Sequence, residues 1–253
     1  MTTLMVLAHP DDEYCALPIL MEARRKHEPL IFAFNAVPRS ADVRARRLGE
    51  TMRCLEHFGL TEAVFLGDGA DRAFDGQLFR GLDRAFASLL AFLGGARIDR
   101  IVAPAWEGGH PDHDMCAVLS VALANRLERQ TGVPCTVIQF SLYNGAGLAG
   151  PFFRGASPLA QNGRAIAMRL SPRDWLAFVC AVRFYPSQAG VWSTLWPAVF
   201  LSYLRRGFVV QRLSSAQVSR RPHPGPLLYE RRGGPPYEAV AQKAATFLRS
   251  AQR

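Results

Sequence analysis

Only five cysteines occur in the 253 residues, Cys15, Cys54, Cys116, Cys135 and Cys180, widely separated and without a C-x-x-C pair. That odd, scattered set excludes a disulfide framework and a cysteine-built zinc site, and buried free thiols are the expectation. Residues Met1 to His9 lack the basic flank, longer apolar run and small-residue cleavage site of a secretory signal, so a cytoplasmic location is expected. Internal repeats and low-complexity segments are absent, as are an aromatic-interleaved RNA motif, a zinc finger and a helix-turn-helix pattern. Nucleic acid is therefore not an expected partner. Charge is missing from Phe184 to Leu204, a run followed by Arg205-Arg206. Pro186 and Pro197 interrupt the run, and Ser187, Gln188 and Ser193 dilute it, which argues against a membrane span. A buried helix pair is expected there, with peripheral membrane contact by Trp192, Trp196 and Arg205-Arg206 as the alternative.

Nearly half the residues are apolar and a fifth are charged. With a mean hydropathy close to zero, that is the profile of a folded globular protein long enough to bury a large core. The formal charge of +9 is unevenly placed. Residues 1–150 hold 15 Lys and Arg against 18 Asp and Glu (net −3), and residues 151–253 hold 15 against 3 (net +12). A basic surface of that kind suits phosphate, an acidic lipid surface or nucleic acid, or serves solubility alone.

Apolar runs at Leu4–Ala8, Leu30–Asn35, Ala63–Leu66, Ile98–Ala103 and Thr136–Phe140 read as strands. Helical spacing follows at Glu13–His27, Ala41–Phe58, Gln77–Leu93 and Met115–Gln130. Such alternation predicts an α/β fold, a Rossmann-like, mostly parallel sheet with helices on both faces. From Ser141 to Arg164 the composition suits a long loop. Ser171-Pro172-Arg173-Asp174 starts a helix running to Phe184, and Pro236–Arg253 reads as a closing helix. The whole chain, 1–253, is thus expected to be one domain, with an α/β core over 1–140 and an α-rich part over 141–253 packed on it.

Ligands of open α/β sheets collect at the carboxyl ends of the strands. Two segments there are dense in polar groups. Ala8-His9-Pro10-Asp11-Asp12-Glu13 follows the first strand, and Trp106-Glu107-Gly108-Gly109-His110-Pro111-Asp112-His113-Asp114 follows the fourth. Adjacent carboxylates resist burial unless a cation or hydrogen-bond donors compensate. A solvated acidic turn capping a helix explains Asp11 to Glu13 but leaves His9 without a role. His9 and Asp12 with one histidine of the second segment make a three-ligand site for zinc, iron or manganese, with a position open to water.

Ala8–Glu13 and His110–His113 resemble the two hallmark segments, A-H-P-D-D-E and H-P-D-H, of the PIG-L/LmbE-like N-acetylglucosaminyl deacetylase family. The resemblance implies a zinc-dependent deacetylase, with Fe2+ or another divalent ion as the alternative metal, acting on an amino-sugar conjugate. It implies His9, Asp12 and His113 as metal ligands and Asp11 as the general base. His110 would assist the tetrahedral intermediate or the leaving amine. A metal-activated water would attack the acetamide carbonyl, releasing acetate and a free amine.

Arg47-Leu48-Gly49-Glu50 is similar to a family segment whose Arg reaches the substrate, and Leu66-Gly67-Asp68-Gly69 to one whose Asp contacts sugar hydroxyls. A helix-surface pair of Arg47 with Glu50 and a plain turn at Asp68 are the competing readings. Tyr185-Pro186-Ser187-Gln188 is likewise similar to a family S-Q segment or is a helix-ending turn. Some relatives carry a Tyr two residues before the late motif's first His, where this chain has Gly108.

Two other function classes compete. A non-haem iron oxygenase could use His110, Asp112 and His223, but would leave His9, Asp11 and Asp12 idle. A silent binding module would use the basic C-terminal surface, but every motif position is filled.

Overall fold

The computed structural model describes residues 1–60, 63–66 and 73–252. Its centre is a seven-stranded sheet. In chain order its strands are β1 (Thr3–Leu7), β2 (Leu30–Phe34), β4 (Ala63–Leu66), β6 (Arg100–Pro104), β7 (Thr136–Phe140), β10 (Ala165–Met168) and β11 (Phe208–Arg212). In space they lie in the order β10-β11-β7-β6-β1-β2-β4. The first five are mutually parallel, β11 runs antiparallel to β7, and β10 antiparallel to β11. Two short pairs complete the set: β3 (Ala36–Val37) with β5 (Ala73–Phe74), and β8 (Tyr143–Asn144) with β9 (Arg154–Gly155).

A strand's period of two sorts its side chains onto opposite faces, and both faces here are covered, as parallel sheets require. Leu4 and Val6 point into one apolar layer, where α4 (Leu82–Leu93), α5 (Pro111–Thr131) and α10 (Tyr237–Ala251) supply Phe86, Leu119 and Phe247. Met5 and Leu7 point into the other. That side is covered by α1 (Asp12–Cys15), α2 (Leu17–Arg25), α3 (Ala41–His57), α6 (Pro172–Ala181) and α7 (Ala189–Arg206). The remaining helices among the described residues are the short α8 (Ser215–Val218) and α9 (Leu228–Arg231). The α/β fold with its mostly parallel sheet and helices on both faces is as expected, and the C-terminal part completes it by adding β10, β11 and the three covering helices α6, α7 and α10.

Several sequence expectations need correction. The helix expected over Glu13–His27 breaks at Ala16, which separates α1 from α2. The segment expected from Gln77 opens with a 3-10 turn over Leu78–Arg80, and the α-helix starts only after Gly81. Helix α5 starts at Pro111 rather than Met115, so the second motif lies in its first turn. The Ser171 capping box is formed, with Asp174 as its acidic partner. The uncharged run does not make a buried helix pair: two 3-10 turns lead into the single helix α7, which tolerates Pro197 inside it. Only one stripe of α7 is buried, Trp192, Leu195, Val199 and Tyr203. No helix among the described residues is long and apolar enough to cross a membrane. Among the thiols, Cys180 is exposed and Cys135 half-buried, unlike the three others.

Candidate metal centre

Strand β1 lies between β2 and β6: the chain steps to one side of β1 through β2 and β4, then to the other through β6 and β7. Loops leaving β1 and β6 therefore diverge and open a crevice, the usual ligand position in such sheets. Both histidine-carboxylate segments stand at that point.

The first loop is held in an unusual conformation. Asp11 has φ 115° and ψ −18°, a left-handed setting that costs a non-glycine residue on the order of 1 kcal/mol or more. Its neighbours fix it. The Asp11 amide donates to Glu13 Oε2 at 2.8 Å, and the Tyr14 amide to the Asp11 carbonyl at 3.2 Å. Asp12 folds back so that Oδ2 accepts from the Ala8 and His9 amides at 2.9 and 2.8 Å. Its other oxygen, Oδ1, faces His113 Nε2 at 3.1 Å.

The second loop ends at His110, which caps α5 by accepting the Asp112 amide on Nδ1 at 3.2 Å. A neutral imidazole that accepts at Nδ1 carries its proton on Nε2. Desolvation, then repulsion from His9 and His113, push the His110 pKa down to about 4, so the ring is neutral. Asp112 is fully buried and braces the centre: its oxygens accept from the Leu78 and Gly76 amides at 2.9 and 2.6 Å, and Oδ2 meets His9 Nε2 at 3.1 Å.

Those contacts fit a divalent cation. Ligand atoms of His9, His110 and His113 lie within 4.8 Å of one another, as do those of His9, Asp75, His110 and Asp112. With Nε2 of His9 turned to the Asp112 carboxylate, Nδ1 remains on the Asp12 side, 3.9 Å from Oδ2. Carboxylates orient metal-binding histidines in this way. Burial works against a charged His9, yet Asp112, Asp75 and Asp12 hold its proton affinity well above the ordinary value, and a cation would meet the same field. Burial also opposes ionisation of Asp12, but His113 and His9 keep its pKa well below the carboxylate range. Burial lifts Asp11 to about 6 against the pull of Arg47, near neutrality, as suits a group that exchanges protons.

Arg47 does not pair with Glu50. Its Nη2 donates to Asp11 Oδ1 at 2.8 Å and to the Pro10 carbonyl at 3.1 Å. Glu50 instead accepts from Ser187, at 2.9 Å from the amide and 2.6 Å from the hydroxyl. Tyr185 donates to Glu13 Oε1 at 2.7 Å. The Tyr185–Gln188 segment is thus tied to the first motif and to α3, beyond the role of a helix-ending turn.

The cavity over this centre has a volume of about 400 Å³. Its lining joins His9, Asp11, Asp12, His110 and His113 to Arg47 and Asp75, and adds the apolar and basic groups Tyr143, Phe153, Trp192 and Arg232. Asp68 lies outside the described residues. Asp75, which no motif singled out, sits 3.2 Å from His9 Nε2, 3.7 Å from His110 Nε2 and 3.9 Å from Arg47 Nη1. Its pKa is lowered, chiefly by the His9 contact. The β3–β5 pair carries it there, with the Asp75 amide bonded to the Val37 carbonyl; an Asp-Gly step was the only sequence signal.

Gly108 has φ +71°, and a Cβ there would meet Leu227 at 2.7 Å. A Cβ on Gly109 would meet Tyr143 at 2.5 Å. Residues of the C-terminal part therefore press on the second loop, and a side chain at Gly108 would need both a strained backbone and a displaced Leu227. Glu107 ties the loop to the same segment by accepting from the Leu142 and Tyr143 amides at 2.8 and 2.6 Å and from the Ser141 hydroxyl. His223 is buried elsewhere, with Nδ1 on the Pro224 carbonyl, and does not line the cavity. The oxygenase triad is not assembled.

Residues 4–124 match the family described as PIG-L: GlcNAc-PI de-N-acetylase, in keeping with the resemblance carried by the two motifs. Among solved structures, the zinc inhibited form of a teicoplanin deacetylase is 16% identical, with a TM-score of 0.59 over 85% of this chain and 100% of that one. The N,N'-diacetylchitobiose deacetylase of Pyrococcus horikoshii is 15% identical, with a TM-score of 0.59 over 85% of each chain. The 4-carboxy-2-hydroxymuconate hydratase of Pseudomonas putida is 14% identical, with a TM-score of 0.51 over 85% of this chain and 95% of that one. These likenesses show a shared fold that carries more than one reaction. No curated protein matches the chain.

Proposed function

We propose that this protein is a metal-dependent N-deacetylase that hydrolyses the acetamide of an N-acetylglucosamine-type sugar or its conjugate. The observation that carries the reading is the meeting of both motif loops in one cavity, with His9, Asp12 and His113 grouped and Asp11 and His110 beside them. We assign His9, Asp12 and His113 as ligands, with zinc as the metal and Fe2+ as the alternative. A cation held there supplies Lewis acidity to the amide carbonyl and acidifies the attacking water.

The chain's own groups do the rest. Asp11, held by Arg47, accepts the proton of the attacking water and returns it to the leaving nitrogen. The fixed Nε2–H of His110 donates to the oxygen that gains charge as the carbonyl becomes tetrahedral. Trp192 and Phe153, which line the cavity, exclude bulk water and strengthen both contacts. One water is consumed, the C–N bond breaks, and acetate and the amine leave. Arg47 and, from the motif alone, Asp68 are assigned to the sugar. Residues 141–253, as part of one domain with 1–140, are assigned to substrate selection.

Support also comes from the two deacetylases among the fold's neighbours, while the hydratase supplies the competing class. Acetate release from N-acetylglucosaminides, measured with a chelator and after metal add-back, tests the reading. Metal-dependent acetate is expected. Turnover of a 2-hydroxymuconate without any acetate from amino sugars would replace it with a hydratase.

A further inference from the structure

Helices α6 and α7 cover one face of the sheet with their inner stripes and present an unusual outer surface. Leu176 is 58% exposed, Leu201 47% and Leu204 60%. Beneath these leucines run half-buried rings. Trp175 packs against Phe200 at 5.0 Å, and Phe200 stacks on Trp196 at 4.8 Å. Two shallow grooves flank this seam. One, of about 530 Å³, brings Trp175 and Leu204 together with Arg169, Arg205 and Arg206. The other, of about 380 Å³, joins Trp196 and Pro197 to Arg183 and reaches Trp192, which also lines the catalytic cavity.

The arginines around this surface lack acidic partners among the described residues. Residues 151–253 contain three acids. Asp174 pairs with Arg25 at 2.7 Å, and Glu230 and Glu238 both pair with Arg221. Nothing acidic is left for Arg169, Arg173, Arg183, Arg205 or Arg206. Exposed leucines framed by uncompensated arginines over an aromatic seam are the composition of an interfacial helix surface, in which apolar groups enter the acyl boundary and cations meet headgroup phosphates. The helix itself is firmly seated, since Tyr203 donates to the Cys15 carbonyl at 2.6 Å and Trp196 Nε1 to Tyr14 at 2.9 Å.

We propose that the α6–α7 face docks on an anionic lipid bilayer, peripherally and without insertion of a span. Charge complementarity selects this occupant: a second copy of the chain would bring the same arginines against one another. Since the first turns of α7 line the catalytic cavity, docking would hold the cavity rim close to the headgroups.

The test is co-sedimentation of the full-length protein with vesicles of phosphatidylcholine alone or mixed with phosphatidylglycerol. Binding to the mixed vesicles is expected to be at least about tenfold tighter than to phosphatidylcholine, and to weaken as salt rises. The double variant Leu201→Glu/Leu204→Glu and the double variant Arg205→Glu/Arg206→Glu should each weaken it by about tenfold or more, with circular dichroism unchanged. Leu204→Ser replaces the first variant should that one misfold. No binding to mixed vesicles at low salt would overturn the proposal. So would undiminished binding by the leucine variants, which would leave only a cationic surface. A dimer that the leucine substitutions dissociate would likewise overturn it in favour of self-association.

Discussion

In residues 1–140, Asp11, Asp12, Glu13, Glu107, Asp112 and Asp114 are all buried, each against backbone amides or a cationic partner. In residues 141–252, Arg154, Arg169, Arg173, Arg183 and Arg205 are exposed and without acidic partners among the described residues. The first region keeps negative charge inside, where it costs stability and can hold a cation or move a proton. The second spreads positive charge over its surface, where it costs little and acts at a distance. The two regions meet at many polar joints, among them Glu50 with Ser187, Glu13 with Tyr185 and Glu107 with Ser141. A region that buries its charge is thus clasped by one that displays it.

Removing a proposed metal ligand should widen that contrast most. Asp12→Ala and His113→Ala are expected to lose bound metal, by elemental analysis, and all measurable deacetylation. His110→Ala should keep metal but lower kcat by about 10²- to 10³-fold, since it removes only a neutral donor. Equal loss of metal and rate in this variant would make His110 a ligand instead. Arg47→Met leaves the Asp11 carboxylate buried without its cation, so a loss of roughly 3 kcal/mol in stability is expected by denaturant titration, with activity falling alongside. At the joint between the regions, Ser187→Ala removes the hydroxyl donor to Glu50 but keeps the amide donor, so it should cost about 1 kcal/mol and should raise KM more than it lowers kcat. Unchanged KM would show that the C-terminal part plays no role in holding substrate.

A pH series gives a quieter measure of the buried charge. Burial, opposed by the Gly108 and Glu107 amides and by His113, raises Asp114 to about 8, and its Oδ2 has no hydrogen-bond partner among the described residues. A carboxyl group whose folded pKa lies above its unfolded value contributes stability that is complete below the unfolded value and is lost as pH rises through the folded one. The Tm of metal-free protein should therefore fall as pH rises from the ordinary aspartate value towards about 8 and level off above it, and Asp114→Asn, which mimics the protonated form, should flatten that decline.

Much of the first region was legible because local rules dominate it. Apolar runs placed β4 and β7 to the residue, and two polar clusters after matched strands located the cavity. Asp75 was not legible, because a two-residue pairing of β3 with β5 brings it in and no periodicity spans so short a segment. The edge formed by β10 and β11 was equally hidden: Ala165, Ile166 and Ala167 are exposed, so no alternation marks them as strand. For α7, the lack of charge suggested burial on all sides, yet the apolar residues Leu201 and Leu204 face outward. Hydropathy reports what a residue is, not which neighbour covers it.

The left-handed backbone at Asp11 bears on how such a protein can evolve. Glycine adopts that conformation freely, but Asp11→Gly would also leave the buried Arg47 guanidinium without its carboxylate, so the variant should melt at a lower temperature despite the relieved backbone and should lose deacetylation. A glycine that relieves the backbone is therefore open to the chain only together with loss of Arg47, so two substitutions rather than one separate this sequence from a relaxed relative.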